Sequence, residues 1–264
     1  MQRIAHISDL HFGRTDPRVV EALVADINRA PPDLVVVSGD LTLSARRREF
    51  RDARAFLDRL RAPFFAVPGN HDISPYRLIE RFLFPYRRWR QFISPEIEPE
   101  WRSDGLAVIG INTARRMALH WNWSHGRVGR AQIARVAREV TDLPADCLRV
   151  VVAHHPFLPP EQASDTRLVG RAREAIAAFA RAGVDLILAG HLHRGYRRAL
   201  VHDEAAPGTA EARQAALHVI HASTATSTRL RDEPNAYNVI SADGRDFEME
   251  VRRWNGSDWV AAAA

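Results

Sequence analysis

Five short apolar runs that each end on Asp, Asn or His constrain this chain more than any other feature. Residues 3–8 lead into Asp9 and His11, 34–38 into Gly39-Asp40, and 64–67 into Gly69-Asn70-His71-Asp72. Residues 148–153 lead into His154-His155-Pro156, and 184–189 into Gly190-His191-Leu192-His193. A continuous run such as LVVVS at 34–38 marks a strand buried on both faces. Between the runs, apolar residues recur at helical spacing. Val20, Leu23, Val24 and Ile27 follow Asp16-Pro17, an N-cap with proline at the first helical position. Ala53, Phe56, Leu57 and Leu60 form a second stripe, and Ile133, Val136, Ala137 and Val140 a third. Leu168, Ala172, Ala175, Ile176 and Phe179 form a fourth, with Gly183 at the C-cap. Residues 75–94 read as irregular helix broken at Pro85.

Residues 106–111 add a strand, and 216–221, 236–241 and 247–254 close the chain as strands without helices between them. Residues 202–213 read as a polar loop and 260–264 as a frayed tail. The alternation predicts an α/β fold. No linker divides it, so residues 1–264 are expected to form a single domain.

Ligands of an open α/β sheet bind at the carboxyl ends of its strands, so these junctions aim their polar residues at one edge. Each residue alone is an ordinary cap, turn or loop residue. Together, two carboxylates, one amide and four imidazoles, with glycines giving backbone clearance, predict a metal site. In D-x-H and H-x-H the two outer side chains fall on the same side of an extended segment. Asp40 has two oxygens and could bridge two cations. Nitrogen and oxygen ligands without thiolate suit Mn, Fe or Zn better than Mg or Ca, and the lone Cys147 excludes a cysteine cluster or internal disulfide framework. Two such ions roughly 3.5–4 Å apart can hold a bridging hydroxide and clamp a phosphoryl oxygen for in-line attack.

The ordered set DLH at 9–11, GD at 39–40, GNHD at 69–72, HHP at 154–156 and GHLH at 190–193 resembles the calcineurin-like metallophosphoesterase superfamily. The resemblance implies a four-layer αββα sandwich, two mixed β-sheets flanked by helices. It implies that Asp9, His11 and His193 hold one metal, that Asn70, His154 and His191 hold the second, and that Asp40 bridges them. His154 is preferred to His155 because the family ligand directly precedes the x-Pro pair. His71 would stand near the phosphate as general acid or transition-state stabiliser, with Asp72 orienting it. The implied cofactors are two divalent or mixed-valence ions, Mn and/or Fe, with Zn admitted.

Within the superfamily the chain looks most like bacterial class III cyclic-nucleotide phosphodiesterases and glycerophosphodiesterases. The features carrying this are GINT at 110–113, His125-Gly126 ahead of a helix with Gln132, and STATSTR at 223–229 as a substrate-side loop. Asn112 stands where the family commonly has Asp. The implied function is hydrolysis of phosphodiesters, cyclic nucleotides or small diesters. The alternatives are a phosphomonoesterase or pyrophosphatase on the same site, or a non-catalytic interaction module of the same fold.

All 37 basic residues counted as Lys or Arg are arginine. Arginine suits an anionic substrate, although the base composition of the source genome explains the bias more readily. Arg115, Arg116 and Arg194 are the candidates for an extra phosphate clamp. The net charge of +5 is spread along the chain, which carries no strong nucleic-acid signal. The exception is 81–90 (RFLFPYRRWR), read as a cap helix whose Phe82, Leu83, Phe84 and Trp89 pack on the core, in preference to a docking surface. No apolar run approaches the roughly 20 residues of a membrane span, and the opening MQRIAHISDL lacks signal-peptide features. A cytoplasmic location is the expectation, with a small diester as partner and a homodimer left open.

Overall fold

The run at 34–38 becomes β2 (Leu34–Val37), and its alternation locates the layers of the molecule. Leu34 and Val36 join one apolar core and Val35 and Val37 another, all fully buried. A strand sandwiched in this way has no polar face, which is why the run is continuous. The structure is a computed structural model and describes residues 1–117, 124–200, 216–231 and 233–262. The loop expected at 202–213 lies outside the described residues.

The first sheet is built from β1 (Gln2–Ile7), β2, β3 (Phe64–Ala66), β10 (Ala236–Asp243), β11 (Asp246–Trp254) and β12 (Trp259–Ala261). Their order is β12-β11-β10-β1-β2-β3, with β1, β2 and β3 parallel and β10 antiparallel to β1. The second sheet contains β4 (Glu100–Ser103), β5 (Leu106–Gly110), β6 (Leu148–Val152), β7 (Leu186–Ala189), β8 (Tyr196–Leu200) and β9 (Leu217–His221). Its order is β4-β5-β6-β7-β9-β8, parallel from β5 through β9 with an antiparallel strand at each edge. The sheets meet through Ile4, Val36, Val108, Val150, Leu188 and Ile220.

Helices cover both outer faces. α1 (Pro17–Arg29) and α2 (Arg47–Leu57) pack on the first sheet through Leu23, Ile27, Phe50 and Phe56. α5 (Arg130–Thr141) and α6 (Ala172–Ala182) pack on the second through Val136, Val140, Ala175 and Phe179. The fold is therefore the expected four-layer sandwich of two mixed sheets with flanking helices. Asp16 caps α1 by accepting from the Arg18 backbone N–H at 2.9 Å, and Gly183 ends α6 with φ +87°. Leu168 precedes α6, which starts only at Ala172. Pro85 divides the irregular segment into α3 (Leu78–Leu83) and α4 (Arg87–Phe92).

Sequence periodicity misses β4, β8 and β12. All three are edge strands; the half-exposed EWRS and YRRAL lack an apolar run, and WVA, three residues long, is too short to show a period. Residues 260–262, expected to fray, pair with β11, and Ala262 N–H donates to Val251 O at 2.7 Å. The final two residues lie outside the described set.

The fold buries two histidines in neutral form. Burial drives both His6 and His221 down to about 3. His6 bonds Ser38 Oγ at 2.9 Å, and His221 stacks on Tyr196 at 4.2 Å. An unfolded histidine gains its proton below about 6.5, whereas these stay neutral until about 3. The unfolded state therefore binds more protons in that window. This contribution to stability is complete above about pH 6.5 and falls as the pH drops towards 3. Each should cost about 2 kcal/mol between pH 6.5 and 5. Urea unfolding at pH 7.5, 6 and 5 should show this decline, and His6→Gln should remove its share and so make the slope shallower. An identical pH slope in wild type and variant would exclude His6 as a source.

Candidate metal centre

The strand ends of β1, β2, β6 and β7 and the 3-10 turn Asn70–Asp72 after β3 converge on one enclosed space. The backbone there is unusual. Seven non-glycine residues among those described have positive φ, and five of them are Asp9, His11, Asp40, His191 and His193. Left-handed backbone costs an L-residue about 1–2 kcal/mol, so its concentration here marks a site held under strain by its surroundings. It also corrects the extended-segment reading. Asp9 (φ 52°) and His11 (φ 51°), like His191 and His193, bring their side chains together through kinked backbone. Two glycines admit the crowding. A Cβ on Gly39 would stand 2.6 Å from His154 Nδ1, and one on Gly69 would collide with Asp40 Oδ1.

Four imidazoles are aimed by backbone carbonyls. Nδ1 of His11 faces Thr42 O at 3.3 Å, His71 Leu43 O at 2.7 Å, His154 Ser38 O at 2.8 Å and His193 Arg229 O at 2.9 Å. A carbonyl only accepts, so each Nδ1 carries the proton and each Nε2 is left as a donor atom towards the centre. His11 Nε2 and His193 Nε2 then stand 3.0 Å apart, lone pair to lone pair. Asp9 Oδ1 lies 3.6 Å from the first and 3.3 Å from the second, fully buried and without a hydrogen-bond partner, while its Oδ2 accepts from Ser8 Oγ and His191 N–H. On the other side, His154 Nε2 is 3.2 Å from Asn70 Oδ1 and 3.3 Å from His191 Nδ1. Asp40 Oδ2 is 3.2 Å from His154 Nε2 and 3.9 Å from His11 Nε2, between the two groups.

This donor set fits cations. Crowded acceptor atoms, one of them an orphaned carboxylate oxygen, are costly to bury unless a positive charge satisfies them. The electrostatics agree. Burial opposes charge on both carboxylates, yet the imidazoles of His11 and His193 hold Asp9 well below the usual carboxylate range, and His154 and His71 do so for Asp40. Burial would lower His154, but the Asp40 charge raises it to about 9. Burial and the charge of His154 push His191 down to about 3. The space thus selects positive charge, and protons on its histidines cannot supply enough of it.

His155 belongs to the same crowd but has no free nitrogen. Its Nδ1 meets Thr113 Oγ1 at 2.7 Å, and its Nε2 meets Ser124 O at 2.9 Å. Asp72 does not orient His71. Its oxygens accept from the backbone N–H groups of Leu41, Thr42 and Gly69 and from Thr42 Oγ1, and the Leu43 carbonyl holds the His71 ring. Burial and the neighbouring Asp40 charge raise Asp72 to about 6.

Asn112 is structural. Its side chain donates to Tyr86 Oη and accepts from Ala114 N–H, and Gln132 donates to its carbonyl. Residues 118–123, between the GINT segment and His125, lie outside the described residues.

The STATST stretch also differs from expectation. Residues 223–227 are buried. Thr224 and Thr226 donate to the carbonyls of Asp9 and Leu10, and Ser223 to that of His193, so the stretch supports the ligand loops from beneath. Sequence reasoning missed this clamp, although a hydroxyl at every position of 223–228 but Ala225 was a legible sign of side-chain bonding to backbone. Thr224→Val should leave the Asp9 carbonyl unpaired at a cost of about 1–3 kcal/mol and weaken metal binding about 10–100-fold. Metal titration followed by thermal unfolding checks this, and unchanged affinity would reduce Thr224 to a core residue.

A profile described as calcineurin-like phosphoesterase matches residues 2–195. The chain is 42% identical over 80 residues to glycerophosphodiester phosphodiesterase GpdQ of Enterobacter lignolyticus, across 26% of this chain and 29% of that protein. It is 26% identical over 200 residues to a probable cyclic nucleotide phosphodiesterase of Rhodopseudomonas palustris, covering 71% and 70% of the two chains. In fold it resembles a purple acid phosphatase from yellow lupin seeds, with a TM-score of 0.68 at 12% identity, over 98% of this chain and 52% of that one.

Proposed function

The chain belongs to the calcineurin-like phosphoesterase family, and we propose that this metal-dependent phosphoester hydrolase is a dinuclear phosphodiesterase acting on small diesters, cyclic nucleotides among them. The observation that carries the dinuclear reading is Asp40 Oδ2, which faces His154 at 3.2 Å and His11 at 3.9 Å and so joins two donor groups. In this reading Asp9, His11 and His193 hold one ion, Asn70, His154 and His191 the other, and Asp40 bridges. The sulfur-free set favours Mn or Fe, with Zn admitted. Bound ions would supply Lewis acidity, polarising the phosphoryl group and activating water. We also read residues 1–264 as one domain, because β1–β3 and β10–β12 share a sheet.

The remaining chemistry falls to the chain's own groups. A cavity of about 440 Å³ opens beside the centre, lined in part by Ser44, Asn70, His71, Tyr76, Arg81 and Ser124. His71, with Nδ1–H committed to Leu43 O, turns Nε2 to the cavity, and in the imidazolium form that nitrogen gives its proton to the leaving oxygen.

The diester preference rests on the cations of this cavity. Arg115, Arg116 and Arg194 are not among its lining residues, and Arg116 donates to Phe82 O. Arg81 does line it, but its guanidinium donates to the carbonyls of Ile73, Ser74, Arg115 and Arg116. A monoester dianion needs more neutralising charge than this offers, whereas a diester monoanion needs less. The printed names of the Enterobacter and Rhodopseudomonas relatives point the same way.

With metal-reconstituted protein, bis-nitrophenyl phosphate and cyclic AMP should be cleaved with higher kcat/KM than nitrophenyl phosphate. A clear monoester preference would promote the phosphatase alternative. Asp40→Ala should lose both metals and more activity than any other ligand variant, and retention of two metals per chain would refute the bridge. His71→Ala should keep its metals yet lose about 10²–10⁴-fold in kcat, less with nitrophenyl leaving groups. Wild-type turnover in that variant would remove His71 from the chemistry.

A further inference from the structure

Most of the large apolar side chains that the described residues leave exposed lie in the segment 76–84 that leads away from the cavity, or at Met117. Nine large hydrophobic side chains are exposed among the described residues, and six of these are Tyr76, Leu78, Ile79, Leu83, Phe84 and Met117. The sequence reading packed Phe82, Leu83, Phe84 and Trp89 on the core; Trp89 is buried there, but Leu83 and Phe84 are 64% and 59% exposed, and Arg81 is buried. Arg81 binds this surface together from below. Its bonds to the carbonyls of Ile73, Ser74, Arg115 and Arg116 join the approach to α3 with the loop that carries Met117. Arg116 closes the seam by donating to Phe82 O. Tyr76 is 72% exposed and also lines the catalytic cavity with Ile73, Pro75 and Arg81, so the apolar rim runs into the site.

Charge decides what fits this face. Residues 73–93 contain five arginines and one acid, Glu80. Glu80 pairs with Arg88 at 2.6 Å and with Arg77 at 4.0 Å, while Arg87, Arg90 and, across the seam, Arg116 are exposed. An apolar patch bordered by an excess of cations repels a second copy of itself. It matches a surface that is negative outside and apolar beneath. Among the described residues no helix is long and apolar enough to cross a membrane.

We infer that this rim docks the protein on an anionic phospholipid bilayer, with the catalytic cavity opening against it to take phosphate esters carried by lipids. The docking stands on the surface alone, and the substrate class rests on the phosphodiesterase reading above.

The test uses the full-length, metal-loaded protein and the double variant Ile79→Ser/Phe84→Ser, neither residue lining the cavity. Sedimentation with phosphatidylcholine vesicles containing phosphatidylglycerol should capture the wild type, vesicles of phosphatidylcholine alone should not, and added salt should weaken capture. The variant should bind about tenfold more weakly or worse while cleaving bis-nitrophenyl phosphate in solution at the wild-type rate. Its hydrolysis of lysophosphatidylglycerol presented in vesicles should fall by a similar factor.

Three results overturn the docking: wild type left in the supernatant with anionic vesicles, equal binding by the variant, or light scattering showing a dimer that the variant dissolves, which assigns the face to a second copy. Docking with no cleavage of the vesicle-borne diester overturns the substrate class. Loss of bis-nitrophenyl phosphate cleavage in the wild type would sink the phosphodiesterase reading separately, since vesicle capture is measured without it.

Discussion

Everything near the centre of this protein answers to one electrostatic problem, the packing of carboxylate oxygens and imidazole lone pairs into a space closed to water. Asp9 and His11 are fully buried, Asp40 is nearly so, and His11 and His193 face each other nitrogen to nitrogen at 3.0 Å. Such a cluster repels itself unless cations occupy it. Its persistence requires a scaffold that over-determines every donor atom.

The scaffold meets that demand with backbone groups. Carbonyls of Thr42, Leu43, Ser38 and Arg229 fix the tautomers of four histidines. Hydroxyls of Thr224, Thr226 and Ser223 hold the carbonyls of Asp9, Leu10 and His193. The two sheets supply rigidity, because β1, β2, β6 and β7 are central parallel strands buried on both faces. Left-handed backbone at five donor residues is tolerable only on such a base.

A site of this kind handles phosphate and says little about what the phosphate is attached to. Selectivity falls to the surroundings of the cavity, where Arg81 is committed to four carbonyls and Tyr76 leads out to an apolar, cationic rim. Chemistry and selectivity are therefore separated in space, with the first on strand ends and the second on short helices and loops around Pro85.

The sequence by itself determined the central strands, the helical stripes and the residue types gathered at the strand ends, because burial on both faces and the helical period leave local marks. It placed Asp9, His11, Asp40, Asn70, His154, His191 and His193 at one edge. Edge strands β4 and β8 escaped it because half-exposed pairing leaves no apolar run, and β12 because three residues are too few to show a period. Only the tertiary structure decided which nitrogen each histidine offers, since that depends on carbonyls up to 116 residues away, as with His154 and Ser38. Distance in sequence likewise hid the turn of Asp72 towards the 41–42 backbone, the retreat of Asn112 into the scaffold and the burial of Arg81 beneath an exposed Ile79. These are contacts between segments that approach only when both sheets have closed.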